Sequence, residues 1–354
     1  MDEEFLFLPL GGAEEIGMNL NLYGIENKWL MVDLGVSFGE DRLPGVDVVM
    51  PDPSYIEARR ENLMGLVLTH GHEDHLGAVQ YLWPRLRCPI YATFFTASLL
   101  RAKLAETDFA NDVPIHDLSL GARFNLGPFD LEFVTVTHSI PEANALVIRT
   151  RLGTVFHTGD FKIDYSPMDE HRFDIAAFAA YGREGVLALL SDSTNAERSG
   201  YTPSERAVES RFESIFGETK GRIIVSCFSS AIHRIQIIAD TAHRHGRHLA
   251  FLGRRMQTNT DMAQQLGALH LPPDLVIRGK EIKNYPRNEV VVIVSGCQGE
   301  PMAALARISL EQHRDLKLDP GDTVILSSRM IPGNERAISR MMDHLYRRGA
   351  DVVY

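Results

Sequence analysis

The chain has 354 residues, of which 44% are hydrophobic and 23% are charged, and this composition is typical of a folded protein with room for two domains. No apolar stretch approaches the roughly 18 to 20 residues that a membrane span needs, so we predict no membrane segment and a cytoplasmic location. Cys88, Cys227 and Cys297 lie far apart and form no CxxC pair. A disulfide framework and a cysteine-ligated zinc site are therefore not expected, and we interpret the three cysteines as buried small residues.

The net charge of −11 is unevenly distributed along the chain. Residues 1–204 contain 15 Lys and Arg against 30 Asp and Glu, whereas residues 205–354 contain 21 against 17. A mildly basic second half beside an acidic first half could hold an anionic chain. The same difference also fits ordinary variation of surface charge, and charge alone leaves both interpretations open.

The hydrophobic pattern changes at the same place as the charge. Early segments such as FLFLPLGG, MNLNLYGI and KWLMVDLG are short, apolar and punctuated by glycine, which predicts a meander of strands. From about residue 220, apolar segments such as GRIIVSCFSS and EVVVIVSG alternate with helical ones such as AIHRIQIIADTAHRHG, which predicts a parallel sheet covered by helices. In the last helix, the apolar residues at helical spacing predict core packing, and these are Ile338, Met341, Met342 and Leu345. We predict one domain over 1–204 and a second over 205–354.

The segment THGHEDHLG at 69–77 places four possible metal ligands after the apolar run LMGLVL. His70 and His72 are two residues apart, so in extended chain both side chains leave the same face and suit one cation. Asp74 and His75, beyond the turn, can face a second cation. The sequence therefore predicts a metal site on a strand-to-helix turn.

Further ligands are expected at the ends of other strands. His138 closes FVTVTH and Asp160 closes TVFHTGD, each just past an apolar segment. A carboxylate at such a position can bridge two cations and lower their mutual repulsion. His157, three residues before Asp160, is interpreted as a packing residue.

These motifs resemble a known superfamily. HGHEDH at 70–75, with Asp33 in MVDLG, His138 in VTHSIP and Asp160 in HTGDFK, is similar to the metallo-β-lactamase fold hydrolases. The segments LGGAEEIGMN, GVDVVMPD, SDSTN, GRIIVSCFSSAIHRIQ, SGCQGEPMAAL and SSRMIPGNERAISR resemble ribonuclease J of the β-CASP branch. The resemblance extends over nearly all 354 residues and implies an αββα sandwich in the first domain, with an inserted α/β β-CASP domain in the second.

The resemblance also implies roles for individual residues. One metal ion would be held by His70, His72 and His138, a second by Asp74 and His75, and Asp160 would bridge the two. Asp33 would contact the metal ligands rather than the metal ions and would orient those ligands. Asp74, His75 and Asp192, which closes LALLSD, would take part in catalysis, although a turn or helix-capping role for Asp192 stays open. The expected cofactors are two divalent ions, zinc foremost and manganese as the alternative.

Three loops of the second domain form a separate candidate site. CFSSAIH, SGCQGE and SSRMIPGN each follow a strand and open a helix, so their amide groups, hydroxyls and helix ends can converge on phosphate. By resemblance, the residues that would bind RNA phosphate are Ser229, Ser230, His233, Ser328 and Arg329. Glycine and serine are common in the turns of any α/β domain, so an ordinary turn role stays open.

The expected activity is hydrolysis of single-stranded RNA by metal-activated hydroxide, as a 5′-to-3′ exonuclease on 5′-monophosphorylated RNA with added endonuclease activity, in RNA maturation and decay. The family also implies a homodimer or homotetramer for the full-length protein. Two rival functions are a scaffold that binds RNA with little or no activity and a small-molecule hydrolase of the same superfamily. The second rival predicts no strand-helix insert, which residues 205–354 contradict.

Two departures from the family pattern affect these expectations. Ribonuclease J usually has Asn where Ala231 stands, so one donor is expected to be missing or replaced. The chain stops in GADVVY, which is typical of the start of a strand, where the family continues into a return segment with two more histidines. We expect these 354 residues alone to bind the second metal ion weakly and to be nearly inactive.

Overall fold

The apolar segments predicted as strands pair into sheets in the structure, a computed structural model that describes residues 4–39, 43, 45–169, 171–331 and 333–354. The chain divides into two compact units with a boundary between Ser204 and Glu205. The first unit contains two sheets, with strand orders β1-β2-β3-β6-β7-β8 and β13-β12-β11-β10-β9, and a β4-β5 hairpin. Its strands are β1 Leu6–Gly11, β2 Leu20–Ile25, β3 Lys28–Val32, β4 Ser37–Phe38, β5 Val48–Val49, β6 Leu63–Val67, β7 Ile90–Thr93, β8 Ile115–Leu118, β9 Arg123–Leu126, β10 Phe129–Thr135, β11 Asn144–Thr150, β12 Gly153–His157 and β13 Ala188–Leu190.

The two sheets of the first unit pack face to face around one hydrophobic cluster. Tyr23, Leu30 and Val67 of the first sheet contact side chains of the second sheet such as Phe133 and Leu146, and all five are buried. The α-helices of this unit are α1 Ser54–Glu57, α2 Glu73–Leu76, α3 Val79–Leu86, α4 Phe94–Leu104 and α5 Ile175–Glu184, and 3₁₀ turns span Arg60–Asn62 and Ala110–Asp112.

Helices cover the outer faces of this sandwich. On the first sheet, α4 contacts β7 and β8, and Tyr55 of α1 packs edge-on against Trp29 of β3. On the second sheet, Phe178 of α5 packs against Phe156 of β12. The unit is therefore the αββα sandwich that the sequence predicts.

Strand register brings several chain segments to one end of the sandwich. β3 pairs in parallel with β6, and Val32 lies opposite Val67, so the segments after both strands leave the sheet together. β12 pairs in parallel with β13, with His157 opposite Leu190. The amide of Asn144, at the start of β11, donates to the carbonyl of Thr69 and links the two sheets at this end.

The second unit is built on a parallel sheet of order β15-β16-β14-β17-β18. Its elements are α6 Glu209–Glu218, β14 Ile223–Ser226, α7 Ile232–Arg244, β15 His248–Leu252, α8 Arg254–Gln265, β16 Val290–Val294, α9 Ala304–Ser309, β17 Thr323–Leu326, α10 Glu335–Arg347 and β18 Asp351–Val353, with 3₁₀ turns at Glu205–Val208, Gly279–Asn284 and Arg287–Glu289. The central strands are buried along their whole length, as expected for a parallel sheet with helices on both faces. Ser226 lies opposite both Val294 and Leu326, so β14, β16 and β17 end at the same level.

The alternation of strands and helices predicted for this unit is confirmed. The last helix packs as expected, because Ile338, Met341 and Leu345 are buried in one hydrophobic cluster and Met342 is partly buried against it. No helix within the described residues is long and apolar enough to cross a membrane.

The three cysteines are unpaired and buried, as the sequence predicts. Burial raises the pKa of each thiol to about 12. The thiolate form, which reacts with oxidants and metals, is therefore strongly disfavoured.

A buried ion network ties together the amino ends of the parallel strands. The fully buried carboxylate of Asp322 accepts hydrogen bonds from Arg222 Nη2 at 2.5 Å, Arg287 Nη2 at 2.7 Å and the amide of Asp319 at 3.0 Å. The side chain of Arg222 is only 8% exposed. Removing the carboxylate charge would leave this guanidinium poorly hydrated and without the negative charge that offsets its cost of burial.

We therefore expect Asp322→Asn to lower the free energy of unfolding by about 3 kcal/mol, measured by urea titration. Asp315→Asn is the matched control, because its partner Arg314 is 88% exposed and such pairs contribute less than about 1 kcal/mol. Equal effects of the two substitutions would show that the buried network does not stabilise this sheet.

Candidate functional site

The segment 69–77 lies on a strand-to-helix turn. β6 ends at Val67, and α2 begins at Glu73 with His72 as its extended N-cap residue. His70 and His75 are buried. Two imidazoles, which are strong metal ligands, are thus held inside the protein at the end of the sandwich, where they cannot be ordinary solvated surface groups.

Three imidazoles converge at this turn. His72 Nδ1 lies 3.1 Å from His70 Nε2 and 3.1 Å from His138 Nε2. His138 comes from the loop after β10, so the strand-end position brings it to the turn. The opposite nitrogen of His72, Nε2, lies 3.5 Å from Ser139 Oγ.

The geometry of this group fits a tetrahedral cation. A zinc ion about 2.0–2.1 Å from each nitrogen places neighbouring ligand atoms roughly 3.3 Å apart, close to the observed separations. Three nitrogens at these distances cannot all be satisfied by hydrogen bonds to one another. The donor set therefore suits a divalent metal ion.

A second group shares His70 with the first. One ligand atom each from His70, His75 and Asp160 lies within 4.8 Å of the others. His75 Nε2 is 3.4 Å from Asp160 Oδ1 and 3.6 Å from Asp74 Oδ2. The other oxygen of Asp160, Oδ2, lies 3.7 Å from His138 Nε2, so its two oxygens face the two groups.

The buried carboxylate of Asp33 fixes the orientation of the histidines. Its Oδ2 accepts a hydrogen bond from His75 Nδ1 at 2.7 Å and lies 2.9 Å from Thr69 Oγ1, while its Oδ1 accepts from the Thr69 amide at 2.8 Å. Because a carboxylate only accepts, His75 Nδ1 must carry the proton. The Thr69 hydroxyl donates to Asp33 and is therefore an acceptor for His70 Nδ1, 3.0 Å away. Both histidines consequently present Nε2 to the site.

The protonation preferences of the site also favour a cation. Burial lowers the pKa of His70 well below its ordinary value and that of His138 to about 3, so their lone pairs are available. For His75, burial acts in the same direction, but the charges of Asp74 and Asp160 outweigh it and raise its pKa well above the ordinary value. The carboxylates of Asp74 and Asp160 thus make this part of the site favourable for positive charge.

Two residues at this turn were not identified by sequence reasoning. Asn19 Nδ2 donates to the carbonyl of Asp74 at 3.1 Å and lies 3.2 Å from His75 Nε2. Gly35 lies so close to the backbone of Asp74 that a Cβ atom at residue 35 would be 1.6 Å from the Asp74 carbonyl oxygen. Asn19 closes the segment LGGAEEIGMN, which carried the family resemblance, but the contact joins residues 55 apart and no local pattern indicates it.

The loop that carries His138 is anchored to the neighbouring sheet. Glu142, with a left-handed φ of 57°, uses its carboxylate to accept from the amide of Phe95 in the first turn of α4. Its carbonyl accepts from Thr93 Oγ1 and Asn144 Nδ2. These bonds fix the path of the loop between β10 and β11.

Asp192 and His157 lie outside the two ligand groups found among the described residues. The carboxylate of Asp192 accepts from the amide of Thr194, which is a turn arrangement, and its own amide donates to Thr158 Oγ1. His157 is buried, and its Nδ1 lies 2.9 Å from the hydroxyl of Tyr23, so it packs in the core.

The three candidate phosphate-binding loops of the second unit follow β16, β14 and β17, which are neighbours in the sheet. Ser229 and Ser328 are half-buried and Arg329 is exposed, whereas His233 is buried in the first turn of α7. Ser230 is half-buried beside Ala231, which is the N-cap residue of α7 and offers no side-chain cap.

Two family models match the chain. The ribonuclease J β-CASP domain matches residues 220–345, and the β-lactamase superfamily domain matches residues 41–197.

Curated relatives match almost the whole chain but are themselves longer. Ribonuclease J of Sinorhizobium meliloti is 46% identical over 99% of this chain and 63% of its own length. Ribonuclease J of Helicobacter pylori is 40% identical over 98% of this chain and 50% of its own length, and ribonuclease J2 of Bacillus subtilis is 38% identical over 99% and 63%. This chain thus spans between half and two thirds of these relatives.

A solved structure also shares the fold. A protein of unknown function from Enterococcus faecalis covers 99% of this chain and 87% of its own, with a TM-score of 0.67 at 15% identity. At that identity the likeness concerns the fold alone.

Asp33→Asn should weaken metal binding. The carboxylate accepts from His75 Nδ1 with one oxygen and from the Thr69 amide with the other, whereas the amide side chain has only one accepting oxygen. We expect the affinity for Zn²⁺ to fall about 10–100-fold in a competition titration with a chromophoric chelator. Asp130→Asn removes a half-exposed carboxylate and is the control. Unchanged affinity in Asp33→Asn would contradict the orienting role.

Gly35→Ala should displace the turn that carries Asp74 and His75, since the added methyl group would overlap backbone atoms. We expect less metal bound per chain by elemental analysis. Gly182→Ala is the matched control, because a Cβ there meets nothing within 4 Å and the residue lies inside α5. Full metal content in Gly35→Ala would show that the close approach is dispensable.

Proposed function

Because this chain belongs to the β-CASP branch of the metallo-β-lactamase superfamily and carries a ribonuclease J β-CASP domain, we propose that it is part of a metal-dependent ribonuclease that hydrolyses phosphodiester bonds of single-stranded RNA. The observation that carries this proposal is the convergence of His70, His72 and His138 beside His75 and Asp160 at one end of the sandwich. The relatives named ribonuclease J supply the substrate class.

The side chains that we assign to the metal ions are those of the two groups together with Asp74. His70, His72 and His138 would hold one ion, Asp74 and His75 the second, and Asp160 both. When bound, such ions lower the pKa of a coordinated water and neutralise charge on the phosphodiester. Three imidazoles suit zinc, and manganese is the alternative.

Side chains beside the candidate metal ligands orient those ligands. Asp33 and Thr69 hold the two buried histidines with Nε2 toward the site, so no reorganisation is needed when substrate arrives. The side chain of Asp74 is 34% exposed, and we assign to it a role in taking a proton from the attacking water. We propose that Asp192 supports catalysis through its bond to Thr158, two residues before Asp160.

We further propose that the second unit recognises a 5′-phosphate of RNA. Ser229, Ser230, His233, Ser328 and Arg329 would form this pocket. The support is that the loops after β14, β16 and β17 leave the sheet at one level, with hydroxyl and amide donors among them. This would favour 5′-to-3′ exonuclease action on 5′-monophosphorylated RNA, with endonuclease activity in addition, in RNA maturation and decay. The cytoplasmic location and the homodimeric or homotetrameric state stay predictions.

The activity is tested with 5′-monophosphorylated and 5′-triphosphorylated RNA in the presence of Mn²⁺ or Zn²⁺, using a protein of these 354 residues and one extended to the relatives' length. We expect the extended protein to cleave RNA, faster for the monophosphorylated substrate, and to lose this activity in His138→Asn. His171→Asn, at an exposed histidine, is the control and should cleave normally.

Failure of the extended protein to cleave either RNA would contradict the proposal and favour an RNA-binding scaffold. Hydrolysis of a thioester or lactone without RNA cleavage would instead favour a small-molecule hydrolase.

A further inference from the structure

An amide side chain joins two of the three loops at the carboxyl end of the parallel sheet. Gln298, in the loop after β16, is only 5% exposed. Its Nε2 donates to Ser328 Oγ at 3.2 Å and to the carbonyl of Arg329 at 2.8 Å. Its Oε1 accepts from the amide of Ile331 at 2.9 Å and from Asn334 Nδ2 at 3.3 Å. All four hydrogen-bonding positions of the amide are thus used on one loop.

These partners fix which end of the Gln298 amide is the donor. Oε1 faces two N–H groups, which cannot accept, so the nitrogen must face Ser328 and the carbonyl of Arg329. The Ser328 oxygen therefore accepts a hydrogen bond. The thiol of Cys297 also bonds the Ser328 hydroxyl, but sulfur is a weak acceptor, so the Ser328 proton is available to an oxygen acceptor.

The loop after β14 repeats this arrangement with a different residue. Asn259, in α8, donates from Nδ2 to Ser229 Oγ at 3.2 Å and to the carbonyl of Ser229 at 3.1 Å. The Ser229 hydroxyl therefore also accepts a hydrogen bond from its own domain, which leaves its proton available to another acceptor.

Close packing supports the position of the Gln298 loop. Gly299 has a φ of +79°, and a Cβ there would lie 2.6 Å from the backbone of Ala337 in the first turn of α10. The loop after β16 thus lies directly against the helix that follows the third loop. Gln298 is held where it can act on Ser328.

We propose that Gln298 and Asn259 are positioning residues that set Ser328 and Ser229 as hydrogen-bond donors to the terminal phosphate of an RNA 5′-monophosphate. An anion only accepts hydrogen bonds, so a serine hydroxyl serves it only when the proton points outward. Two serines with this polarity, set by buried or half-buried amides, make a site selective for phosphate over a 5′-hydroxyl. The inference rests on the proposed function, whose phosphate pocket it deepens.

The test exchanges each amide for the acid of the same shape. Gln298→Glu and Asn259→Asp replace a donor with an acceptor, so each carboxylate draws the serine proton inward and adds negative charge. Binding of one single-stranded RNA with a 5′-monophosphate and with a 5′-hydroxyl is measured by fluorescence anisotropy in EDTA, which removes any contribution of the metal centre. We expect the preference for the monophosphate to fall roughly tenfold or more in each variant, as for the loss of a charge-assisted hydrogen bond.

Gln236→Glu is the matched control, because the Gln236 amide bonds the backbone of His270 and the carboxylate of Asp240, and it bonds neither serine. It should keep the preference of the unaltered chain. Thermal melting checks that each variant is folded, and Asn259→Asp, at a half-buried site, provides the test if Gln298→Glu does not fold.

A double variant separates positioning from general damage. If Gln298 acts through Ser328, then Gln298→Glu should lower the phosphate preference much less when Ser328→Ala is already present. Independent, additive losses would overturn the inference. So would a full preference in folded Gln298→Glu and Asn259→Asp while Ser328→Ala loses it, and that result would leave the phosphate pocket of the proposed function intact. An unaltered chain that binds both RNAs equally would overturn the pocket and this inference together.

Discussion

The hydrogen bonds made by the buried carboxylate of Asp33 are the interaction on which the rest of the candidate metal centre depends. One carboxylate determines the tautomer of His75 directly and that of His70 through the hydroxyl of Thr69. The backbone of Asp33 is left-handed, with φ of 62°. This conformation costs a non-glycine residue roughly 1–3 kcal/mol and persists where surrounding hydrogen bonds fix it. Those bonds are present, because its amide donates to Val67 and its side chain accepts from Thr69. The strain is thus retained where it orients ligands.

The second unit uses a related principle on a different scaffold. Parallel strands of matched register end at one level, and the loops that follow carry the small polar residues of a candidate anion site. Hydroxyl groups can donate or accept, so their position alone does not define what they bind. Neighbouring amides of fixed orientation remove this ambiguity, as Asp33 does for the histidines. In both units, a residue that does not itself meet the ligand determines, by its hydrogen bonds, which atoms of the ligand-facing residue can donate and which can accept.

Sequence reasoning predicted the architecture and the ligand segments because these have short-range signatures. The alternation of strands and helices after residue 220 is periodic, and the segment 70–75 concentrates ligand types after an apolar strand. Contacts such as Asn19 with His75, or Gln298 with Ser328, join residues that are 56 and 30 positions apart and leave no periodic trace. The need for glycine at residue 35 arises from a backbone approach that only the folded chain reveals. For Asp192, the sequence left open both a catalytic role and a structural role in a turn. Its hydrogen bond with the amide of Thr194 fits the turn role.

The most direct test of the account is anomalous diffraction from crystals of the protein saturated with Zn²⁺. We predict one anomalous peak about 2.0–2.1 Å from His70 Nε2, His72 Nδ1 and His138 Nε2, and a second beside His75 Nε2, with Asp160 in contact with both. Peaks located elsewhere, or these side chains turned away from one another in the presence of excess metal, would contradict it.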